Sequence, residues 1–370
     1  MKVSINREIL LGPLQAVCSV IERRQTLPIL SNILIQFESD SLTLTGTDLE
    51  VEMVTKIALP DDAQLTETGD ITLPAKKFLD IVKTLPENVD IKINIEKERA
   101  EIRSGRSRFV LATLAADEFP SLESLKDPFS CFVKQSELKH LLDKTQFSMA
   151  QQDVRYYLNG LLLELNNDNL RAVATDGHRL ALCDINANIS IAEPLQVIIP
   201  RKGVTELTRL LSNTDDEIEL QVSNNHIKAT LPNFTFTSKL IDGKFPDYEK
   251  VIPKNLDISI NFDRVELHSA LQRASVLSNE KYRGMRLTLK DNLLKATVNN
   301  PEQDEAEEEM EIVYSGEALD IGFNVSYFLD ALNAIENDTV NMNLLDSNSS
   351  CLLQTDTDSD CKYVIMPMRL

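Results

Sequence analysis

Apolar positions along the chain follow two rhythms. "INREILLGPLQAV" (5–17) and "GDITLPAKKFLDIVKTL" (69–85) end in apolar residues at i, i+3, i+4 and i+7, the period of a helix with one buried face. "LTLTGTDLEVEM" (42–53) alternates instead, the period of half-covered strands around a turn. The order of these rhythms recurs. "QVIIPRKGVTELTRLL" (196–211) and "LDIGFNVSYFLDALNAI" (319–335) repeat the plan of 69–85, and Pro74, Pro200 and Asn324 fall 126 and 124 residues apart. "VKQSELKHLLDKT" (133–145) and "FDRVELHSALQRA" (262–274) repeat 5–17, with Leu14, Leu142 and Leu271 spaced by 128 and 129. "LRAVATDGHRLAL" (170–182) and "LKATVNNPEQDEAEEEM" (294–310) repeat the hairpin of 42–53. The pattern predicts an α+β protein of three repeated domains, 1–127, 128–257 and 258–370, each with two helices against antiparallel sheets of about eight short strands. Within a domain the strand–helix–strands plan occurs twice, which gives an internal pseudo-twofold. Periodicity alone leaves open whether the repeats stack as an array or close into a ring.

The bulk numbers narrow the class. A 370-residue chain with 42% hydrophobic and 26% charged residues is globular, and no apolar run reaches the ~18 residues of a membrane span. "MKVSINREIL" lacks the marks of a secretory signal. Five scattered cysteines (Cys18, Cys131, Cys183, Cys351, Cys361) without a CxxC pair point to reduced thiols in a cytoplasmic protein, with neither a zinc site nor a disulfide frame. The net charge of −20 by itself argues against a generic nucleic-acid binder, but the acidity is uneven. "PEQDEAEEEME" (301–311) holds seven carboxylates and no base. The expected helices are basic: Lys76, Lys77 and Lys83 stand against Asp80, and Arg201, Lys202 and Arg209 against Glu206. "NEKYRGMR" (279–286) is read the same way, and Arg23 and Arg24 close the first helix. Repetition would put such helices on one side, a lining that holds DNA phosphates without sequence preference.

Catalytic motifs are missing. No GxxxxGK[ST] or GxGxxG occurs, and the four histidines (His140, His178, His226, His268) show no HExxH or HxxxH spacing. Asp176-Gly177-His178-Arg179 resembles a catalytic cluster until the repeat is considered. It falls on a hairpin turn whose counterparts are Thr47-Asp48 and Asn299-Asn300, so Asp176 and Gly177 are there for backbone reasons. That leaves His178 and Arg179 at the start of a hairpin arm. "CKYVIMPMRL" (361–370) reads equally as a final core strand or as an adaptable, methionine-rich binding surface.

At this point the strings "TLPILSNILIQF", "SGRSRF", "QFSMAQQDVRYYLNG", "TDGHRLA", "FTSKLIDGKFPDY", "LSNEKYRGMRL", "NNPEQDEAEE", "GFNVSYFLDALNA" and "YVIMPMRL" identify a family. Over its full length the chain resembles the β subunits of bacterial DNA polymerase III, the sliding clamps. The resemblance implies a head-to-tail homodimeric ring of three-domain subunits around duplex DNA, a processivity factor without catalysis, cofactor or metal. It implies a partner pocket for a short hydrophobic peptide, lined by Arg155, Leu158, Thr175, His178, Arg179, Leu180, Pro246, Val251, Asn324, Tyr327, Ser350, Val364, Met366, Pro367, Met368, Arg369 and Leu370. Lys250 and Asn348 stand at pocket edges where relatives often carry Arg and an apolar residue. The implied partners are the replicative polymerase, the clamp loader (a separate ATPase), and other polymerases and repair factors, with no membrane. DNA contacts would come from Arg24, Gln152, Tyr156, Tyr157, Arg201 and Lys202. The subunit interface would join Lys77, Arg106, Arg108, Phe109 and Leu111 to Val276, Leu277, Glu302, Asp304, Glu305, Glu307 and Glu308.

Overall fold

The fold is given by a computed structural model that describes residues 2–22, 27–59, 67–96, 98–123, 125–254, 256–355 and 360–369. The first third holds β1 (Lys2–Asn6), α1 (Arg7–Ser19), β2 (Asn32–Phe37), β3 (Ser41–Thr47), β4 (Val51–Ala58), β5 (Gly69–Pro74), α2 (Ala75–Thr84), β6 (Asp90–Glu96), β7 (Arg99–Ser104) and β8 (Ser107–Ala112). The second holds β9 (Phe129–Lys134), α3 (Gln135–Asp143), β10 (Gly160–Asn166), β11 (Asn169–Thr175), β12 (Arg179–Asn186), β13 (Leu195–Pro200), α4 (Arg201–Leu210), β14 (Glu217–Val222), β15 (His226–Thr230) and β16 (Phe234–Lys239). The last holds β17 (Ile258–Asp263), α5 (Arg264–Ser275), β18 (Gly284–Lys290), β19 (Leu293–Asn299), β20 (Glu305–Glu311), β21 (Leu319–Asn324), α6 (Val325–Ala334), β22 (Thr339–Leu344), β23 (Cys351–Gln354) and β24 (Cys361–Ile365). One strand, one helix and three strands therefore follow one another six times, as the periodicity predicts.

The junctions are set locally. Asn6, Asp263 and Asn324 cap α1, α5 and α6 by accepting from the amides of Glu8 (3.0 Å), Glu266 (2.8 Å) and Ser326 (2.9 Å). Pro74 and Pro200 instead end β5 and β13, immediately before α2 and α4. The helices bury one stripe each: Leu10, Leu14 and Val17 on α1, Phe78 and Val82 on α2, Leu267 and Leu271 on α5.

Strand pairing is not local. The opening strand of each half-repeat joins the three strands of the other half, giving the order β1-β6-β7-β8. In one eight-stranded sheet, β5-β2-β3-β4 continues through β4·β16 into β16-β15-β14-β9. In the other, β13-β10-β11-β12 continues through β12·β24 into β24-β23-β22-β17. A final four-stranded sheet runs β20-β19-β18-β21. Compactness follows these sheets. One unit comprises the chain up to Gln135 with Thr205–Leu240, the other Ser136–Val204 with Ile241–Leu370.

Two expectations are corrected. "NEKYRGMR" is not helical: Asn279 caps a turn by accepting from the amides of Lys281 (2.9 Å) and Tyr282 (3.0 Å), and Gly284 begins β18. Nor are all thiols reduced. Cys183 and Cys361 lie directly opposite in the β12·β24 ladder, their Cα atoms 4.0 Å apart, and are joined as a disulfide. Their separation of 178 residues hides the pairing from any spacing rule. Cys18, Cys131 and Cys351 are free. No described helix is long and apolar enough to cross a membrane.

Candidate partner-binding site

The Asp176 turn is built as the repeat requires. The Asp176 carboxylate accepts from the amides of His178 (2.9 Å) and Arg179 (3.0 Å), and the Thr175 hydroxyl donates to the Arg179 carbonyl (2.6 Å). Asp48 does the same for Glu50 (2.9 Å) and Val51 (2.8 Å), and Thr47 donates to the Val51 carbonyl (2.9 Å). Gly177 has φ +88° where the equivalent Leu49 has +76°. Asp176 is thus occupied by the backbone, while the His178 side chain is exposed.

From Arg179 onward, alternation along β12 divides the expected pocket residues between two faces. On one face, Arg179 is a hub. It is bonded to Asp176 (3.1 Å), Asp330 (2.5 Å) and the Phe147 carbonyl (2.8 Å). It also stacks on the rings of Tyr327 (4.6 Å) and Phe147 (5.4 Å). With its side chain only 12% exposed, it organises the site more than it offers free donors. An open cavity of about 330 Å³ lies here, lined by Phe147, Met149, Asp153, His178, Arg179, Arg201 and Tyr327. On the other face, Leu180 and Leu182 join Val364, Leu162, Val173, Ile198, Leu352, Phe245 and Tyr248 in a satellite apolar cluster, with Val251 and Tyr157 packed against it. Leu180 and Val364 are cross-strand partners, so β12 and β24 place them together. Arg179 and Leu180 therefore serve different surfaces.

The loop carrying Pro246 and Val251 is pinned through Tyr248. Its hydroxyl donates to the Glu164 carboxylate and accepts from Arg171 (3.1 Å), which pairs bidentately with Asp184 (2.7 and 3.0 Å). Burial and the Glu164 carboxylate push the Tyr248 phenol up to about 12. Pro246 is exposed and Val251 half-buried. Exposed Lys250 pairs with Asp247 (2.7 Å), and Asn348 is likewise exposed.

The chain after β24 carries the ladder one bond further, the Met366 amide donating to the His178 carbonyl (2.9 Å), and then crosses to β21, where the Met368 amide donates to the Gly322 carbonyl (2.8 Å). Met366, Pro367 and Met368 are half-buried and Arg369 exposed. Met368 and Arg369 line a separate cavity of about 710 Å³ with Tyr282, Arg286 and Glu305. Arg155 is exposed and held by Asp153 (2.9 Å), whose carboxyl it pulls down to about 2. Leu158 and Thr175 are buried, and Asn324, Tyr327 and Ser350 half-buried. Sequence reasoning missed Phe147, Asp330, Phe245 and Tyr248. Phe147 and Asp330 are ordinary residues until Arg179 of β12 meets them, and Phe245 and Tyr248 until their loop packs on β10, β11 and β12.

Of the expected DNA contacts, Gln152 is exposed at φ +55°. Tyr156 and Tyr157 occupy a 3-10 turn, with rings 5.8 Å apart in an edge arrangement. Tyr156 is exposed, and Arg201 and Lys202 are half-buried at the start of α4. One Arg201 N–H donates to the Met149 carbonyl (3.0 Å). Arg24 and Leu370 lie outside the described residues. Of the interface candidates, Lys77, Arg106 and Arg108 are exposed, Phe109 half-buried and Leu111 buried. Val276 is 76% exposed, and Leu277 packs on the core. Glu302, Asp304, Glu305 and Glu307 are exposed and Glu308 half-buried. Glu307 and Glu308 already pair with Lys295 (2.5 Å) and Arg273 (2.6 Å).

Comparison with known proteins gives the class. The chain is 53% identical over 370 residues to the beta sliding clamp of Pseudomonas aeruginosa and 50% to that of Escherichia coli K12, covering all of both. It matches the structure of a P. aeruginosa sliding clamp bound to griselimycin with a TM-score of 0.95, at 53% identity and full coverage of both chains. The fold is that of a DNA sliding clamp. Residues 1–123, 132–247 and 249–369 match the models of the N-terminal, central and C-terminal domains of the DNA polymerase III beta subunit, and the chain belongs to that family. It is a non-catalytic processivity subunit for DNA replication.

Proposed function

We propose that this clamp docks the hydrophobic segment of a partner polymerase on the face of the β12·β24 ladder that carries Leu180 and Val364. The satellite apolar cluster supports the reading: it joins residues of β10, β11, β12, β13, β23 and β24 to the pinned Tyr248 loop, apart from the main core. Half-buried methionines and Pro367 run out from its edge and supply adaptable apolar walls. His178, Arg155 and the tail backbone would orient the bound peptide. The clamp loader and other polymerases or repair factors would share this site in turn.

Two copies would close a ring around duplex DNA, with domain boundaries near residues 127 and 257. β4 pairs with β16 and β12 with β24, each joining the last strand of a first half-repeat to the last strand of a second. β20 and β8 are the remaining strands of those two kinds, and both end their sheets. Pairing β20 of one copy with β8 of the next repeats the internal joint. It also sets a strand of five glutamates against Arg106 and Arg108.

The docking reading is tested by titrating a fluorescent polymerase-derived peptide into wild-type protein and a chain lacking residues 366–370. Deletion is expected to weaken binding at least ~100-fold, about 2.7 kcal/mol, while leaving self-association intact. Equal affinity for both would reject this site.

A further inference from the structure

Because the chain repeats the joint between its half-repeats, the docking face on β12·β24 has a counterpart on β4·β16. Glu52 and Leu180 each stand four residues past a turn aspartate, Asp48 and Asp176. Their cross-strand partners, Thr237 and Val364, correspond in turn. So do the next residues across the ladder, Lys228 and Leu352. The connecting segments match as well: "FPSLESL" (119–125) follows the plan of "FPDYEKV" (245–251), so Leu122 answers to Tyr248 and Leu125 to Val251.

The counterpart is a formed cleft. An open cavity of about 320 Å³ lies there, and its walls include Glu52, Leu122, Glu123, Leu125, Lys228 and Thr237. Ligand pockets run from roughly 300 to 1,000 Å³, so the volume is sufficient. The repeat explains the position of this cleft but not its chemistry. Where Leu180, Val364 and Leu352 join the apolar cluster, the matching strand positions carry an acid, a hydroxyl and a base. The Glu52 carboxylate accepts from the Leu122 amide (3.2 Å), which ties the connecting segment to β4. Burial raises the Glu52 carboxyl, while the Leu122 hydrogen bond and the Lys228 charge act to lower it. An apolar side chain seated here would strip water from Glu52 and Lys228 and offer neither a hydrogen bond in return. Rejection of this kind works by an unfavourable contact built against the wrong occupant.

We propose that Glu52, Lys228 and Thr237 close the β4·β16 cleft to the hydrophobic segments that dock on β12·β24, so that each chain takes one partner segment and not two. On the docking reading given above, the fold offers the cleft twice, and three side chains decide which copy is used.

The test titrates a fluorescent polymerase-derived peptide and reads stoichiometry by calorimetry. Four proteins are compared: the wild type, the chain lacking residues 366–370, and each of these with Glu52→Leu, Lys228→Leu and Thr237→Val. The expected numbers of peptides per chain are one, none, two and one, in that order. Two peptides on the wild type, only one on the full-length triple variant, or none on the truncated triple variant would each overturn the proposal. Wild-type affinity in the truncated chain without the three substitutions would instead refute the docking reading, so the two failures are distinguishable. Should the triple variant fail to fold, Glu52→Leu alone decides, through peptide-induced shifts of the Leu122, Lys228 and Thr237 amides in nuclear magnetic resonance spectra. Shifts in that variant and none in the wild type are expected, and shifts in both or in neither refute the assignment.

Discussion

Gly177 carries φ +88°, and a Cβ there would stand 2.8 Å from a guanidinium nitrogen of Arg155. Both effects act against any other residue, because the left-handed region costs an L side chain roughly 1–2 kcal/mol and Arg155 would have to leave its place over the turn. Gly177→Ala is therefore expected to lower stability by about 1–2 kcal/mol in denaturant titration, and an unchanged midpoint would refute the strain argument. Tyr248 makes a pH prediction. Its phenol is raised in the folded chain to about 12, so the neutral form stabilises the fold. That contribution is complete below the ordinary tyrosine range near 10 and is lost as pH rises through 12. In an ultraviolet titration of the folded protein one phenol should ionise late, near 12, and Tyr248→Phe should remove that step. At this scale the turn residues were legible because Asp and Gly act on their own backbone. Arg179's partners were not, since Asp330 lies 151 residues away and Phe147 is 32 away.

Among the elements, β20 shows how one sequence feature changes meaning with position. As a run of carboxylates it suggests solvent or a partner. As the terminal strand of its sheet it offers unpaired backbone groups and a fixed row of glutamates. Arg106→Glu with Arg108→Glu is expected to weaken self-association at least ~10-fold, and added salt should weaken the wild-type pair as well. Sedimentation velocity across salt concentrations reads both effects, and an association constant indifferent to each would exclude the β8–β20 pairing. Helices and strands were legible element by element, since the 3.6 and 2.0 periods and the caps at Asn6, Asp263 and Asn324 are local signals. "NEKYRGMR" misled because basic residues without an apolar period do not make a helix.

For the whole molecule, the ring reading predicts topological retention. Clamps loaded on circular DNA should stay bound at salt that breaks phosphate contacts, and linearising the DNA should release them. Equal loss from both forms, followed by gel filtration, would rule out encirclement. The sequence by itself determined the six-fold strand–helix–strands order, the reason for the Asp176 turn and the location of the acidic strand. Each of these depends on residues within a few positions of one another. Tertiary structure decided which strands share a sheet, that Arg179 and Leu180 serve opposite faces, and that Cys183 and Cys361 meet. Those outcomes depend on pairing between segments up to 178 residues apart, where no local period or propensity carries the information.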